Sequence, residues 1–383
     1  MTTPKVIPHY SELVEYNYAV AGHDGTMCDT DGELFIKPCT QSEIDFYQSL
    51  QTEEHSRMAE IVPIFCGSLS LNDSADVSRM DVQLPLVAGQ VNTEVKEQVL
   101  QFLEQEKEAV PPPPVDNVTW IPNANRKIPT NTAVCLENAS QGFRRPNIMD
   151  VKLGRRLWAD DAPLEKKRRF DKISAETTHH DLGFRIAGMR VYKGSDDATE
   201  LDEEDYKIYD KDYGRNDVNK RNVVEAFRNF IYNTAAGIDD AYARAVAEAF
   251  RQDLENVRDV LEAEETRMYS SSLLFIFEGD GESLKSAIDE RIRSTANALA
   301  DKKPDDHLPG RTTCRIDSGI GLDDDGEFIT GSDDGDDMDD EPRIWNLKLI
   351  DFAHAKWTPG QGPDENILLG VRSLIKIFEE LSQ

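Results

Sequence analysis

The stretch RRPNIMDVKLGRR, Arg144 to Arg156, sets one aspartate and one lysine two residues apart in an apolar run edged with arginines. Read as a strand, its successive side chains point to opposite faces, so Asp150, Lys152 and Gly154 share one side and Met149, Val151 and Leu153 the other. One face is then core, and the other carries an acid and a base. An ion pair across a strand end is the plain alternative. The surroundings favour a functional reading: LEKKRRFDK follows within one predicted helix, and Arg144 to Lys172 holds ten Lys and Arg against five Asp and Glu. Cations at that density repel one another unless water or an anion compensates them.

This basic region sits in a chain of 383 residues with a formal net charge of -30. The negative charge is concentrated elsewhere. Asp323 to Glu341 carries eleven acids and no base, and Asp196 to Asp205 carries seven and none, which leaves -12 for the rest of the chain. An acidic total therefore does not exclude an anionic ligand. Both runs are too polar to bury surface that would offset chain entropy, and disordered insertions are expected at about 195–205 and 317–342. They do not fit the DxDxDG calcium loop.

A hydrophobic content of 39% is sufficient for a substantial core. The N-terminal MTTPKVIPHYSELVEYNYAV lacks a basic region followed by an apolar one, and no segment approaches the roughly 18 unbroken apolar residues of a membrane span, so a soluble, unsecreted protein without a membrane span is expected. Five scattered cysteines without a CxxC pair read as reduced buried thiols. His179 and His180, with no further ligand at metal spacing, read as surface or capping residues.

Regular structure is clearest in the second half. Ile238, Tyr242, Val246, Phe250, Leu254, Val257 and Leu261 form one apolar stripe of a long helix, and a closing helix is expected from about Glu365 to Leu381. FRIAGMRVYK, SSLLFIFEGD and IWNLKLIDFAHAK read as buried strands. Mixed elements without βαβ alternation favour an α+β fold. A weak helical stretch, VNTEVKEQVLQFLEQE, and the tetraproline Pro111 to Pro114 place a proline-containing insertion at about 69–118.

PNIMDVKLG matches the PxxxDxKxG signature of the inositol polyphosphate kinase family, and SSSLLFIFEG and LIDFAHAK look like its two other hallmark segments, in the right order. FRIAGMRVYKG, VCLENAS and LLGVRSLIKIFEEL are also similar to it, so the resemblance runs from about Tyr16 to Leu381 apart from the insertions. Within the family, DVKLG and FEG look most like the multikinases, and the acidic insertion before IDFAH like their fungal type.

The resemblance implies a two-lobed, kinase-like and ATP-grasp-like fold, with an N-lobe over 1–137, a C-lobe over 138–383 and a small helical inositol-binding insertion at about 155–185. It implies ATP-dependent phosphorylation of inositol trisphosphate and tetrakisphosphate toward the pentakisphosphate, with Mg²⁺. Phosphoryl transfer requires cations on phosphates, a carboxylate on the metal and a carboxylate near the attacking hydroxyl. By the resemblance, Lys37 holds ATP phosphates, and the backbones of Glu137 and Ala139 pair with adenine. Asp351 holds the metal and contributes to the nucleotide site, Asp150 addresses the hydroxyl, and Lys152 binds substrate phosphate or the transferring group. Lys166, Lys167, Arg168, Arg169, Lys172, Arg190 and His354 are the expected substrate contacts, and a short insertion implies an open, tolerant site.

Two other functions stay open: an inositol hexakisphosphate kinase, and a regulatory scaffold whose acidic run and proline segment bind basic or transcription-factor proteins. No direct nucleic-acid binding is expected. Residence in nucleus and cytoplasm is what the family implies.

Overall fold

The computed structural model describes residues 8, 12–21, 25–71, 130–301, 321–322, 328–329 and 343–383, with the backbone alone over 295–301, 321–322 and 328–329. The tetraproline, the helical stretch before it and nearly all of the acidic run before IDFAH lie outside the described residues.

The first sheet is antiparallel, in the order β1 (Val14–Glu15), β2 (Met27–Cys28), β3 (Leu34–Pro38), β5 (Thr132–Glu137), β4 (Phe65–Ser70). Between β3 and β4 run two helices, α1 (Gln41–Ser49) and α2 (Ser56–Glu60). β6 (Pro146–Leu153) is the centre of a second antiparallel sheet. On one side of it lie β7 (Phe184–Tyr192) and β8 (Tyr206–Tyr209). On the other lie β10 (Ser272–Glu278) and β13 (Trp345–Ile350). Two minor pairs complete the strands: β9 (Thr266–Met268) with β14 (Ala355–Trp357), and β11 (Gly321–Leu322) with β12 (Phe328–Ile329).

Alternation decides which face of the second sheet meets helices. Met149 pairs with Phe275 and Val151 with Leu273, all fully buried, and Phe275 and Phe277 pack in an aromatic cluster with Phe227, Phe230, Phe250 and Phe378. These rings come from α5 (Val223–Ile231), α6 (Asp240–Ala263) and α8 (Glu365–Leu381). The stripe predicted for the long helix is buried from Val246 to Leu261, and the chain enters the helix through an Asp239 cap that accepts from the amides of Ala241 and Tyr242 at 3.0 Å. Ile238 precedes the helix and is buried at its mouth. Glu365–Leu381 is helical as the sequence predicts, capped by Asp364.

The opposite face of β6, with Asp150 and Lys152, looks toward the first sheet. The sheets are tied by α1, where Phe46 stacks on Phe352 at 4.8 Å and on Trp357 at 5.2 Å, and by the Leu349 amide donating to the Ile61 carbonyl at 2.8 Å. α3 (Leu164–Glu176) and the short α4 (Thr178–Leu182) fill the connection between β6 and β7, where the helical insertion is expected. α7 (Gly281–Asp301) follows β10.

Two expectations are corrected here. The acidic segment 195–205 is an ordered β7–β8 connection, because its acids serve as local caps: Asp197 accepts from the Thr199 amide, and Asp202 from the amides of Glu204 and Tyr206. His179 is completely buried, and only His180 lies at the surface, 2.9 Å from Asp181.

Candidate active site

Four side chains meet where the sheets face each other. Lys37, on β3, donates from Nζ to Glu43 Oε1 and to Asp351 Oδ1, both at 2.7 Å. Lys152, on β6, donates to Asp351 Oδ2 at 3.2 Å, to the Ser270 carbonyl at 2.9 Å and to Ser272 Oγ at 3.0 Å. Asp351 thus stands between two ammoniums, just past the end of β13, with a left-handed φ of 69°. Asp150 is 4% exposed, and its Oδ1 has no hydrogen-bond partner among the described residues.

The two carboxylates are driven apart. Burial raises the pKa of Asp150 against the pull of Lys152, and the charge on Asp351 adds to the rise. Burial also opposes the charge on Asp351, but the ammoniums of Lys37 and Lys152 overcome it and hold that carboxyl well below the usual range. Burial works against the charge on Lys37 as well; Asp351 and Glu43 outweigh it and keep the amine protonated. Glu43 is a residue sequence reasoning missed. It lies in the first turn of α1, is 1% exposed, and also accepts from the Phe352 amide at 3.1 Å. An acid six residues after a strand lysine was the only available signal, and composition gives no sign of its burial.

Beside these groups is a cleft with apolar walls from Val20, Leu136, Ile148, Leu274 and Ile350. Glu137 and Ala139 line it. Glu137 turns its carboxylate to Lys348 at 3.4 Å, and Ala139 accepts through its carbonyl from Asn346 Nδ2 at 3.1 Å. Val20 is held over β7 by a close approach: a Cβ on Gly188 would lie 1.8 Å from the Val20 carbonyl oxygen. Among the described residues no group of three or more His, Cys, Asp or Glu side chains is placed to hold a metal.

The predicted substrate contacts separate. Lys166 Nζ lies 3.3 Å from His354 Nε2, three residues past Asp351. Arg169, one turn further along α3, is half-buried on the same face. Lys167 instead donates to the Asp160 carbonyl at 2.7 Å and covers the Trp158 ring at 4.8 Å, bracing the loop before the helix. Arg168 and Lys172, four residues apart, share the solvent face, and Lys172 reaches only Glu176 at 3.9 Å.

Arg190 is likewise corrected. It is 3% exposed, stacked 3.9 Å from the Tyr206 ring and 4.7 Å from Tyr18, and it donates to the Asn17 carbonyl and Glu204. It pins the N-terminal segment onto β7 and has no surface left for a substrate. The arginines flanking the opening motif also brace structure: the Arg144 and Arg145 amides donate to Glu278, and Arg156 lies 3.8 Å from the Trp158 ring.

The model of the inositol polyphosphate kinase family matches residues 133–379. The chain is similar to the inositol polyphosphate multikinase of Saccharomyces cerevisiae, 33% identical over 94% of this chain and 96% of that protein. It is 31% identical to human inositol hexakisphosphate kinase 1 over 64% of this chain and 52% of that protein. Its fold resembles the crystal structure of the S. cerevisiae inositol phosphate multikinase in complex with ADP and Mn²⁺, with a TM-score of 0.57 and 26% identity over 92% of this chain and all of that one. With β6 presenting Asp150 and Lys152, and β13 delivering Asp351 onto both lysines, the chain belongs to the inositol polyphosphate kinase family and is a kinase.

Proposed function

We propose that the chain is a multikinase that transfers the γ-phosphoryl group of ATP to inositol trisphosphate and tetrakisphosphate, toward the pentakisphosphate. The observation that carries this reading is the pair of carboxylates beside Lys152: Asp150, buried with an oxygen that has no hydrogen-bond partner among the described residues, and Asp351, held between the ammoniums of Lys37 and Lys152. A raised pKa makes Asp150 the better proton acceptor, and a lowered one keeps Asp351 anionic. The attacking hydroxyl donates to Asp150 and gives up its proton as the new O–P bond forms and the β–γ bond breaks, releasing ADP. Lys37 and Lys152 neutralise the phosphates on either side of the transfer. The apolar walls of the cleft suit a flat base, with the backbone at Glu137 and Ala139 at its edge.

Mg²⁺ fits this donor set through Asp351, since a small hard cation is held by one or two carboxylates together with substrate phosphates. When bound, it would neutralise charge on the phosphates.

Purified protein incubated with ATP, Mg²⁺ and defined isomers should convert the trisphosphate through a tetrakisphosphate to a pentakisphosphate. Absence of product from both substrates would refute the reading. Phosphorylation of the hexakisphosphate alone would assign the chain to the pyrophosphate-forming branch instead.

A further inference from the structure

Two further arginines, Arg185 and Arg215, lie beside the reacting groups. Arg185 opens β7 in register with Lys152, so it shares the cleft face of the sheet. It is 6% exposed; its Nη1 donates to the carbonyls of Ile186 and Lys211 at 3.1 and 3.3 Å, and its Nε is buried without a hydrogen-bond partner among the described residues. Arg215 lies in a single π-turn, Tyr213–Asp217. That turn is pressed onto β7: a Cβ on Gly214 would sit 1.9 Å from the Ile186 carbonyl oxygen, so only glycine lets Arg215 come up beside Arg185. Its Nε is also buried without a hydrogen-bond partner among the described residues, although the side chain as a whole is 37% exposed, and the acid it pairs with, Asp212, is 3.7 Å away. Burial and the neighbouring Arg215 push the pKa of Arg185 down to about 10, against the opposing pull of Asp150 and Asp212.

A buried guanidinium beside a second, partly exposed one is costly unless an anion serves both, and Asp212, the acid nearest Arg215, is itself turned largely to solvent. The position of the two arginines says which anion. Across the sheet the order is β13, β10, β6, β7, so the Asp351–His354 end and Arg185 are three strand spacings apart, about 14 Å, with Lys152 between them. α3 bridges the interval: Lys166 meets His354, and Arg169, one turn on, comes close enough to Arg215 for their charges to repel. The site therefore has two cationic poles.

We propose that Arg185 and Arg215 form a second phosphate cradle, on the flank of Lys152 opposite Lys166 and His354, which grips a ring phosphate remote from the hydroxyl at Asp150. The inference rests on the kinase reading above. Guanidinium forks suit phosphate oxygens. With a pole on either flank, an inositol ring can turn a different hydroxyl toward Asp150 and still engage both, which is what successive phosphorylation requires.

The test is Arg215→Gln, chosen because Arg215 is less enclosed than Arg185. Calorimetric binding of inositol tetrakisphosphate to the nucleotide-free protein is measured beside steady-state kinetics with trisphosphate and tetrakisphosphate. Affinity should fall roughly tenfold or more, the loss of one charge-assisted hydrogen bond, and KM for the inositol substrates should rise in step. KM for ATP and kcat should change by less than about threefold. Arg215→Lys should recover part of the affinity, since it keeps the charge without the fork. Affinity within about twofold of wild type, or a lowered melting temperature with ATP and inositol binding lost together, would overturn the cradle. Wild-type protein that binds tetrakisphosphate but transfers no phosphate would refute the kinase reading while leaving the binding comparison intact.

Discussion

Asp150 and Asp351 share one cleft, and their neighbours assign them opposite tasks. Asp150→Asn should lower kcat by roughly 10²–10⁴ without lowering the melting temperature at neutral pH, because it removes a carboxylate whose charge burial disfavours. In the wild type, kcat/KM should fall on acidification through a pKa above the ordinary carboxylate value, and Asp150→Asn should lose that limb. Asp351→Asn should abolish metal-dependent turnover and also destabilise the fold at pH 7, since Lys37 and Lys152 lose their common partner. The sign follows from linkage. A depressed folded pKa contributes stability above the unfolded value near 4 that is lost as pH falls through the folded one, so the difference in melting temperature should close in strong acid. The identities of these residues, with Lys37 and Lys152, were legible from strand alternation and motif. Glu43, Arg185 and Arg215 were not, because a buried charge among charged neighbours in sequence looks like a solvated one.

Among the elements, β7 shows how far a correct strand assignment reaches. FRIAGMRVYK was readable as a buried strand, yet the roles of Arg190 and Gly188 depend on the N-terminal segment that crosses it. Gly188→Ala should displace that segment at Val20 and raise KM for ATP roughly tenfold, equivalent to about 1.4 kcal/mol, with a smaller change in kcat. An unchanged KM would mean that Val20 is no working wall of the cleft. α3 teaches the same at helical period. Its run of cations was legible, but the phase that turns Lys166 and Arg169 inward and Arg168 and Lys172 outward is set by packing on the sheet. The 195–205 connection was misread because acidity argues for solvation only until turn amides are available to be capped.

At the scale of the whole molecule, two antiparallel sheets and the helix α1 between their faces bring Lys37 to Asp351, 314 residues away in sequence. The acidic run from Asp323 to Glu341 lies outside the described residues apart from Phe328–Ile329. Its deletion should leave kcat within about twofold of wild type; a large fall would tie the run to turnover. By itself the sequence determined the α+β class, the long and closing helices, and the acid and base on the cleft face of β6, because periodicity and strand alternation are local properties of the chain. Tertiary structure alone decided which charges are buried together, which of the basic residues reach the cleft, and that Arg190 is a brace. Those outcomes depend on desolvation and on partners from distant segments, and neither is a property of any short stretch of sequence.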